Sequence, residues 1–244
     1  MIQLPWLGPD RSVFPPIDTA LDEPDGLLAG GGDLHPERLI NAYCRGIFPW
    51  YECDQPILWW SPDPRTVIAP NEIHISRSLA KFMAKRPYRL SCDQAFNRVI
   101  DACAAPRRVD GGTWITSEMR TAYCDLHRLG VAHSVEVWEG TELVGGLYGL
   151  ALGQVFFGES MFSRKDNASK IAFAALGQNL ERWGFKLIDC QVASGHLFRM
   201  GAREMPREAF RQHLECLARA DGRSAWPARA QLQYPRPYGA DKAI

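Results

Sequence analysis

Between His133 and Gly158 three strand candidates follow one another almost without interruption: His133–Trp138, Glu142–Leu150 and Gln154–Gly158. Gaps this short cannot hold a crossover, so the three runs predict neighbouring antiparallel strands. A long helix candidate, Ala168–Trp183, comes next, then a strand at Lys186–Val192 and a helix from Pro206 to Arg219. Ahead of the strands stand helix candidates at Ser76–Arg86, with Ser76 as N-cap, at Asp93–Ala104, with Asp93 as N-cap, and at Thr116–Leu129, closed by Gly130. Residues 1–66 have a different texture, dense in Pro, Gly and Trp. One helix is clear there, opened by Pro36, with Leu39, Ala42 and Tyr43 on its apolar face and Gly46 as its stop. The expected fold class is α+β: a small N-terminal domain over 1–66 and a larger domain over 67–244 with a mainly antiparallel central sheet.

Composition narrows the class of protein. Seven cysteines, an odd number and never spaced C-x-x-C, argue against a disulfide framework and a zinc site. No apolar run reaches a bilayer span, and the first ten residues lack a basic segment followed by an apolar one. These features predict a reduced, cytoplasmic protein without membrane attachment. The net charge is zero, so any nucleic-acid surface must be local. No P-loop, no dinucleotide-binding glycine fingerprint after a strand, no G-x-S-x-G elbow and no H-E-x-x-H occur, and Gly30–Leu34 reads as a tight turn. Neither metal nor cofactor is expected. What remains is aromatics with a few carboxylates and amides, a composition suited to stacking on a base and enclosing an apolar group.

Six motifs in order, GGDLHPERLINAYCRGIFPWY, WWSPDPR, GTWIT, ELVGGLYG, GESMFSRKDNASK and LIDCQ, resemble the bacterial leucyl/phenylalanyl-tRNA–protein transferases over roughly residues 22–212. The resemblance implies a C-terminal domain of the GCN5-related acyltransferase (GNAT) type. It also implies transfer of Leu or Phe, less well Met, from aminoacyl-tRNA to an N-terminal Arg or Lys, which marks the acceptor protein for degradation. Through it Trp50 and Trp114 are expected at the adenosine and aminoacyl site, and Leu147, Phe156 and Ile188 in the side-chain pocket. The chain departs from the family pattern at Arg199, ahead of Met200-Gly201-Ala202, where a small polar residue is usual.

The residues also speak for themselves. Phe156 and Phe157 are neighbours on a strand, so only one can face a pocket. Glu159 follows Gly158 at a strand end, placed to meet a cation: the donor's α-amino group or the basic acceptor. Asp189 and Gln191 lie at i and i+2 of an otherwise apolar strand, so both are expected on one face, and the resemblance puts them at the catalytic centre. Trp59 and Trp60, with Pro62 and Pro64, read as an interdomain hinge. Arg77, Lys81, Lys85, Arg86 and Arg89 lie between Ser76 and Cys92 with no acid, the first three as an i, i+4, i+8 stripe; a tRNA contact is expected there. Arginines 199, 203, 207 and 211 alternate with Glu204 and Glu208, which suits internal pairing. Two rival functions are an N-acetyltransferase using acetyl-CoA and a non-catalytic RNA-binding module. The first lacks a glycine in the turn Ser163–Lys170, and the second leaves Glu159, Asp189 and Gln191 unexplained.

Overall fold

The computed structural model describes residues 4–105 and 115–236. The N-terminal part carries a small sheet of β1 (Trp6–Leu7), β2 (Leu27–Gly31), β3 (Phe48–Pro49) and β4 (Leu58–Trp60) in the order β1-β2-β4-β3, with α1 (Pro36–Tyr43) between β2 and β3. Arg38 on α1 is fully buried, and its guanidinium donates to the carbonyls of Gly8 (2.8 Å) and Asp10 (3.1 Å), which ties the incoming chain to the helix. Trp59 is buried, donating its indole N–H to the Gly31 carbonyl at 2.9 Å.

From β5 (Arg65–Ile68) onward the chain builds α2 (Arg77–Ala84), β6 (Arg89–Cys92), α3 (Phe96–Ala104), α4 (Ser117–Arg128), β7 (Ala132–Glu139), β8 (Glu142–Leu152), β9 (Val155–Ser163), α5 (Ala168–Arg182), β10 (Leu187–Gln191), α6 (Gly195–Arg199), β11 (Arg203–Met205) and α7 (Arg207–Leu217). Seven strands form one sheet in the order β11-β5-β10-β9-β8-β7-β6, antiparallel throughout except for the pair β9 and β10. The sheet thus begins at Arg65, just before the expected domain boundary.

Helices cover both faces. Val99 and Ile100 of α3 and Tyr123 and Leu126 of α4 join a core that runs on into Leu39, Tyr43 and Trp59, while Ile171, Ala172 and Leu176 of α5 build the core of the opposite face. Small residues let α5 lie close: a Cβ on Gly145 of β8 would meet that of Ala168 at 2.5 Å. Ser76 and Thr116 cap α2 and α4, each accepting at 3.2 Å from the amide three residues on.

Asp93 departs from expectation. It is no N-cap: α3 starts at Phe96, and Asp93 sits at φ 56° with its carboxylate turned to the Ser134 amide (2.9 Å), the His133 imidazole (2.9 Å) and the Trp226 indole (3.1 Å). Three partners drawn from the sheet and the C-terminal segment outcompete the helix amides. Residues 222–236 form no helix or strand, as expected, yet Trp226 is buried and stacks on His133 with ring centroids 4.2 Å apart.

Candidate active site

The site grows from the one parallel pair. β9 and β10 are in register over Val155–Phe157 and Leu187–Asp189, and both then bulge. Glu159 is the extra residue where Tyr148 and Gly149 face Ser160 and Gly158, and Cys190 is extra where Val67 and Thr66 face Asp189 and Gln191. A bulge bends its strand and re-aims its side chains, so two at the same level open a fork. In the fork lies a cavity of about 530 Å³, walled by Leu147, Phe156, Phe173, Leu176 and Ile188, with Glu159 at its polar edge. Phe156 lines it while Phe157 turns to the other face and meets Tyr43 edge-on at 5.3 Å. Gly149 keeps the wall in place, because a Cβ there would strike the Phe157 carbonyl at 2.2 Å and the Phe156 ring at 2.6 Å.

Glu159 is held by groups from three elements. Its Oε1 accepts from the Tyr43 hydroxyl of α1 (2.7 Å) and from Gln191 Nε2 (2.9 Å), and its Oε2 from the Tyr123 hydroxyl of α4 (2.8 Å); the two tyrosine hydroxyls also touch each other. Burial pushes the Glu159 carboxyl from its ordinary 4.5 up to about 7. The tyrosine hydroxyls and Gln191 favour the charged form and the Asp189 charge opposes it, so desolvation wins. Burial and the Glu159 charge hold both tyrosines protonated, as donors. Because Gln191 spends its amide N–H on Glu159, its carbonyl oxygen is left to accept from another group.

Asp189 and Gln191 do not project side by side. The bulge at Cys190 and a left-handed φ of 62° at Gln191 break the i, i+2 alternation. Asp189 is fully buried in a bidentate pair with Arg65 (Nε to Oδ1 2.8 Å, Nη2 to Oδ2 2.7 Å), and its Oδ1 also accepts from the Gln191 amide at 2.9 Å. Arg65 donates its third contact to the Gly46 carbonyl (3.1 Å) and lies between the Phe48 and Phe210 rings, 4.8 Å from each centroid. The carboxylate therefore anchors the turn that carries Gln191.

The other expected residues fall elsewhere. Trp50 is 46% exposed, packs its ring 5.6 Å from that of Trp60, and lies outside the cavity lining. Trp114 falls outside the described residues. Arg77, Lys81, Lys85 and Arg86 are all exposed and, among the described residues, none is within ion-pair distance of a carboxylate; Arg86 rests over the Tyr234 ring at 5.6 Å. Arg203 pairs with Glu72, Arg211 with Glu208 and Glu215, and Arg207 donates to the Ser61 carbonyl, while Arg199 is exposed at the end of α6. Sequence reading missed Tyr43, Tyr123 and Arg65. Only Arg65 carried a signal: a lone Asp in an apolar strand demands a buried cation, and WWSPDPR supplies one.

Fold and site together define an α+β protein whose sheet forks around an apolar cavity headed by a half-buried carboxylate. The family model described as leucyl/phenylalanyl-tRNA protein transferase matches residues 67–215, and that of the N-terminal domain of the same proteins matches residues 32–63. A protein named leucyl/phenylalanyl-tRNA–protein transferase from Ectopseudomonas mendocina (strain ymp) is 59% identical over 225 residues, 92% of this chain and 100% of that one. The protein of the same name from Pseudomonas putida (strain W619) is 61% identical over 211 residues, 86% of this chain and 93% of that one. This chain belongs to the leucyl/phenylalanyl-tRNA–protein transferase family. A solved structure titled "The structure of L-PGS from Bacillus licheniformis" is similar at a TM-score of 0.38 and 11% identity, covering 61% of this chain and 48% of that one, too remote to bear on the fold or the chemistry.

Proposed function

We propose that this protein transfers Leu or Phe, and less well Met, from aminoacyl-tRNA to the N-terminal Arg or Lys of acceptor proteins, marking them for degradation through the N-degron route. The observation that carries this reading is the apolar cavity with Glu159 at its edge. A side chain seated among Leu147, Phe156 and Ile188 brings its α-amino group to the Glu159 carboxylate, and the ester carbonyl to the Gln191 side of the fork. The acceptor's neutral α-amine attacks that carbonyl carbon. A C–N bond forms, the C–O bond to the ribose breaks, and the amine's proton ends on the departing ribose oxygen. The ester is activated enough that no ATP is needed, and no cofactor or metal takes part. An α-amine with pKa about 7.7–8.0 is partly neutral near pH 7, so orientation supplies most of the effect. Gln191 accepts a hydrogen bond from the attacking amine, and Asp189 is a positioning residue that fixes Gln191.

Trp50 and Trp114 take the terminal adenosine, and Arg77, Lys81, Lys85 and Arg86 take tRNA phosphates. The large sheet has the GNAT-type arrangement, supported by its single parallel pair and the cavity at their fork. The chain divides into a small N-terminal domain, 1–66, and an aminoacyl-transfer domain, 67–244. A cytoplasmic location fits cysteines that form no disulfide among the described residues, and no described helix is long and apolar enough to cross a membrane.

Stable amide analogues of aminoacyl-adenosine test the cavity. Phenylalanyl and leucyl forms should bind at least tenfold tighter than valyl or isoleucyl forms, because refusal of β-branched side chains requires shape selection at Cβ. Equal binding of all four would count against the cavity as the side-chain site.

A further inference from the structure

Two arginines converge at the far edge of the sheet. Arg89 on the edge strand β6 and Arg98 on α3 approach the same indole, their guanidinium carbons 5.1 and 5.0 Å from the Trp138 ring centroid. Both arginines are exposed, and neither has a carboxylate within ion-pair distance among the described residues. Two like charges drawn to one ring repel each other, and an anion seated between them relieves that repulsion. They border a cavity of about 490 Å³ that also takes in Gln94, Asn97 and the start of α3. Asp93 is on this lining, but its carboxylate is spent on Ser134, His133 and Trp226. The α3 N-terminus has no side-chain cap, but its Ala95 amide is taken by Glu136 Oε1 at 3.3 Å, so the helix end is secondary to the arginine pair.

The geometry also selects the kind of anion. Trp138 is buried, its indole N–H is bonded to Ser91 at 2.8 Å, and its ring is attended by both guanidiniums, so no base can stack on it. Planar guanidinium forks and side-chain amides match phosphate oxygens instead. β6 follows the α2 stripe after a short turn, and it lies three strands from β9, roughly 15 Å across the sheet at ordinary strand spacing. An RNA whose 3′ end enters the fork spans that distance.

We infer that Arg89 and Arg98 form a second phosphate-binding site for the backbone of the donor tRNA, beyond the α2 stripe. This rests on the proposed use of aminoacyl-tRNA. The test is the salt dependence of uncharged-tRNA binding by the full chain, beside transfer rates from charged tRNA and from a minimal aminoacyl-adenosine donor. Arg89→Gln with Arg98→Gln should make the slope of log affinity against log salt shallower by roughly 1 to 2. It should raise KM for charged tRNA about tenfold and leave the minimal donor unaffected. Arg89→Lys with Arg98→Lys, which keeps the charge and the packing stems, should restore the slope.

An unchanged slope and KM in the Gln pair, with wild type binding and transferring normally, would overturn this site alone. Equal losses with both donors, or a slope that Lys does not restore, would assign the arginines to structure and also overturn it. Inorganic phosphate bound by wild type and not by the Gln pair, with the tRNA slope and KM unchanged between the two, would mean a free-phosphate pocket and contradict the RNA assignment. If wild type binds no tRNA at any salt concentration, the proposed donor itself falls.

Discussion

Replacing Arg65 by Met removes one charge and leaves another stranded. Asp189 is fully buried, and without Arg65 its carboxylate keeps only the Gln191 amide at 2.9 Å. Met retains an unbranched stem between the Phe48 and Phe210 rings, so packing is largely preserved and the loss is electrostatic. Breaking a buried pair from one side costs about 3–5 kcal/mol, a large share of the 5–15 kcal/mol that holds a typical domain. The double variant Arg65→Met with Asp189→Leu removes both charges and should regain most of that stability, because an apolar substitute for a buried pair is close to neutral. Its activity should not return. With Asp189 gone, nothing fixes the left-handed backbone at Gln191, and the side chain leaves Glu159. Urea unfolding together with single-turnover transfer on the same preparations separates the two effects. A single variant losing under about 1 kcal/mol would refute the buried-pair argument, and a double variant transferring at the wild-type rate would refute the positioning role of Asp189.

Two further outcomes follow from the charges. Glu159 has its carboxyl raised from 4.5 to about 7, so the folded state holds the proton more tightly than the unfolded one. The stability this contributes is complete below about pH 4.5 and is lost as pH rises to about 7, on the order of 3 kcal/mol. Glu159→Gln should abolish that slope in chemical unfolding; a slope identical to wild type would show that the carboxyl does not titrate there. Neutralising Arg77, Lys81 and Lys85 together to Gln should raise KM for charged tRNA and flatten its salt dependence while sparing a minimal donor, and equal damage with both donors would make the stripe structural.

Local rules were readable in the chain where a short-range partner decides. Ser76 and Thr116 cap the helices their positions suggested, and the β7–β8–β9 meander follows from short turns between apolar runs. The same rules fail where a distant partner wins. Asp93 looks like an N-cap until His133 and Trp226 arrive from far along the chain. Tyr43 reads as the apolar face of α1, and nothing within a few residues shows that its hydroxyl meets Glu159 more than a hundred positions later. Period-two alternation puts Asp189 and Gln191 on one face, but a bulge is set by neighbouring strands and cannot be seen in one strand's sequence. Leu147, Phe156 and Ile188, the residues the family resemblance singled out, all line the cavity.

The central claim is best tested on the intact acceptor. Purified protein, tRNA charged with Leu or Phe, and peptides differing only in their first residue would be incubated and weighed by mass spectrometry. Peptides beginning with Arg or Lys should gain the mass of one Leu or Phe residue at the N-terminus, without ATP or coenzyme A, and the N-acetylated peptide should gain nothing. Transfer that requires coenzyme A, or that ignores the acceptor's first residue, would contradict the account.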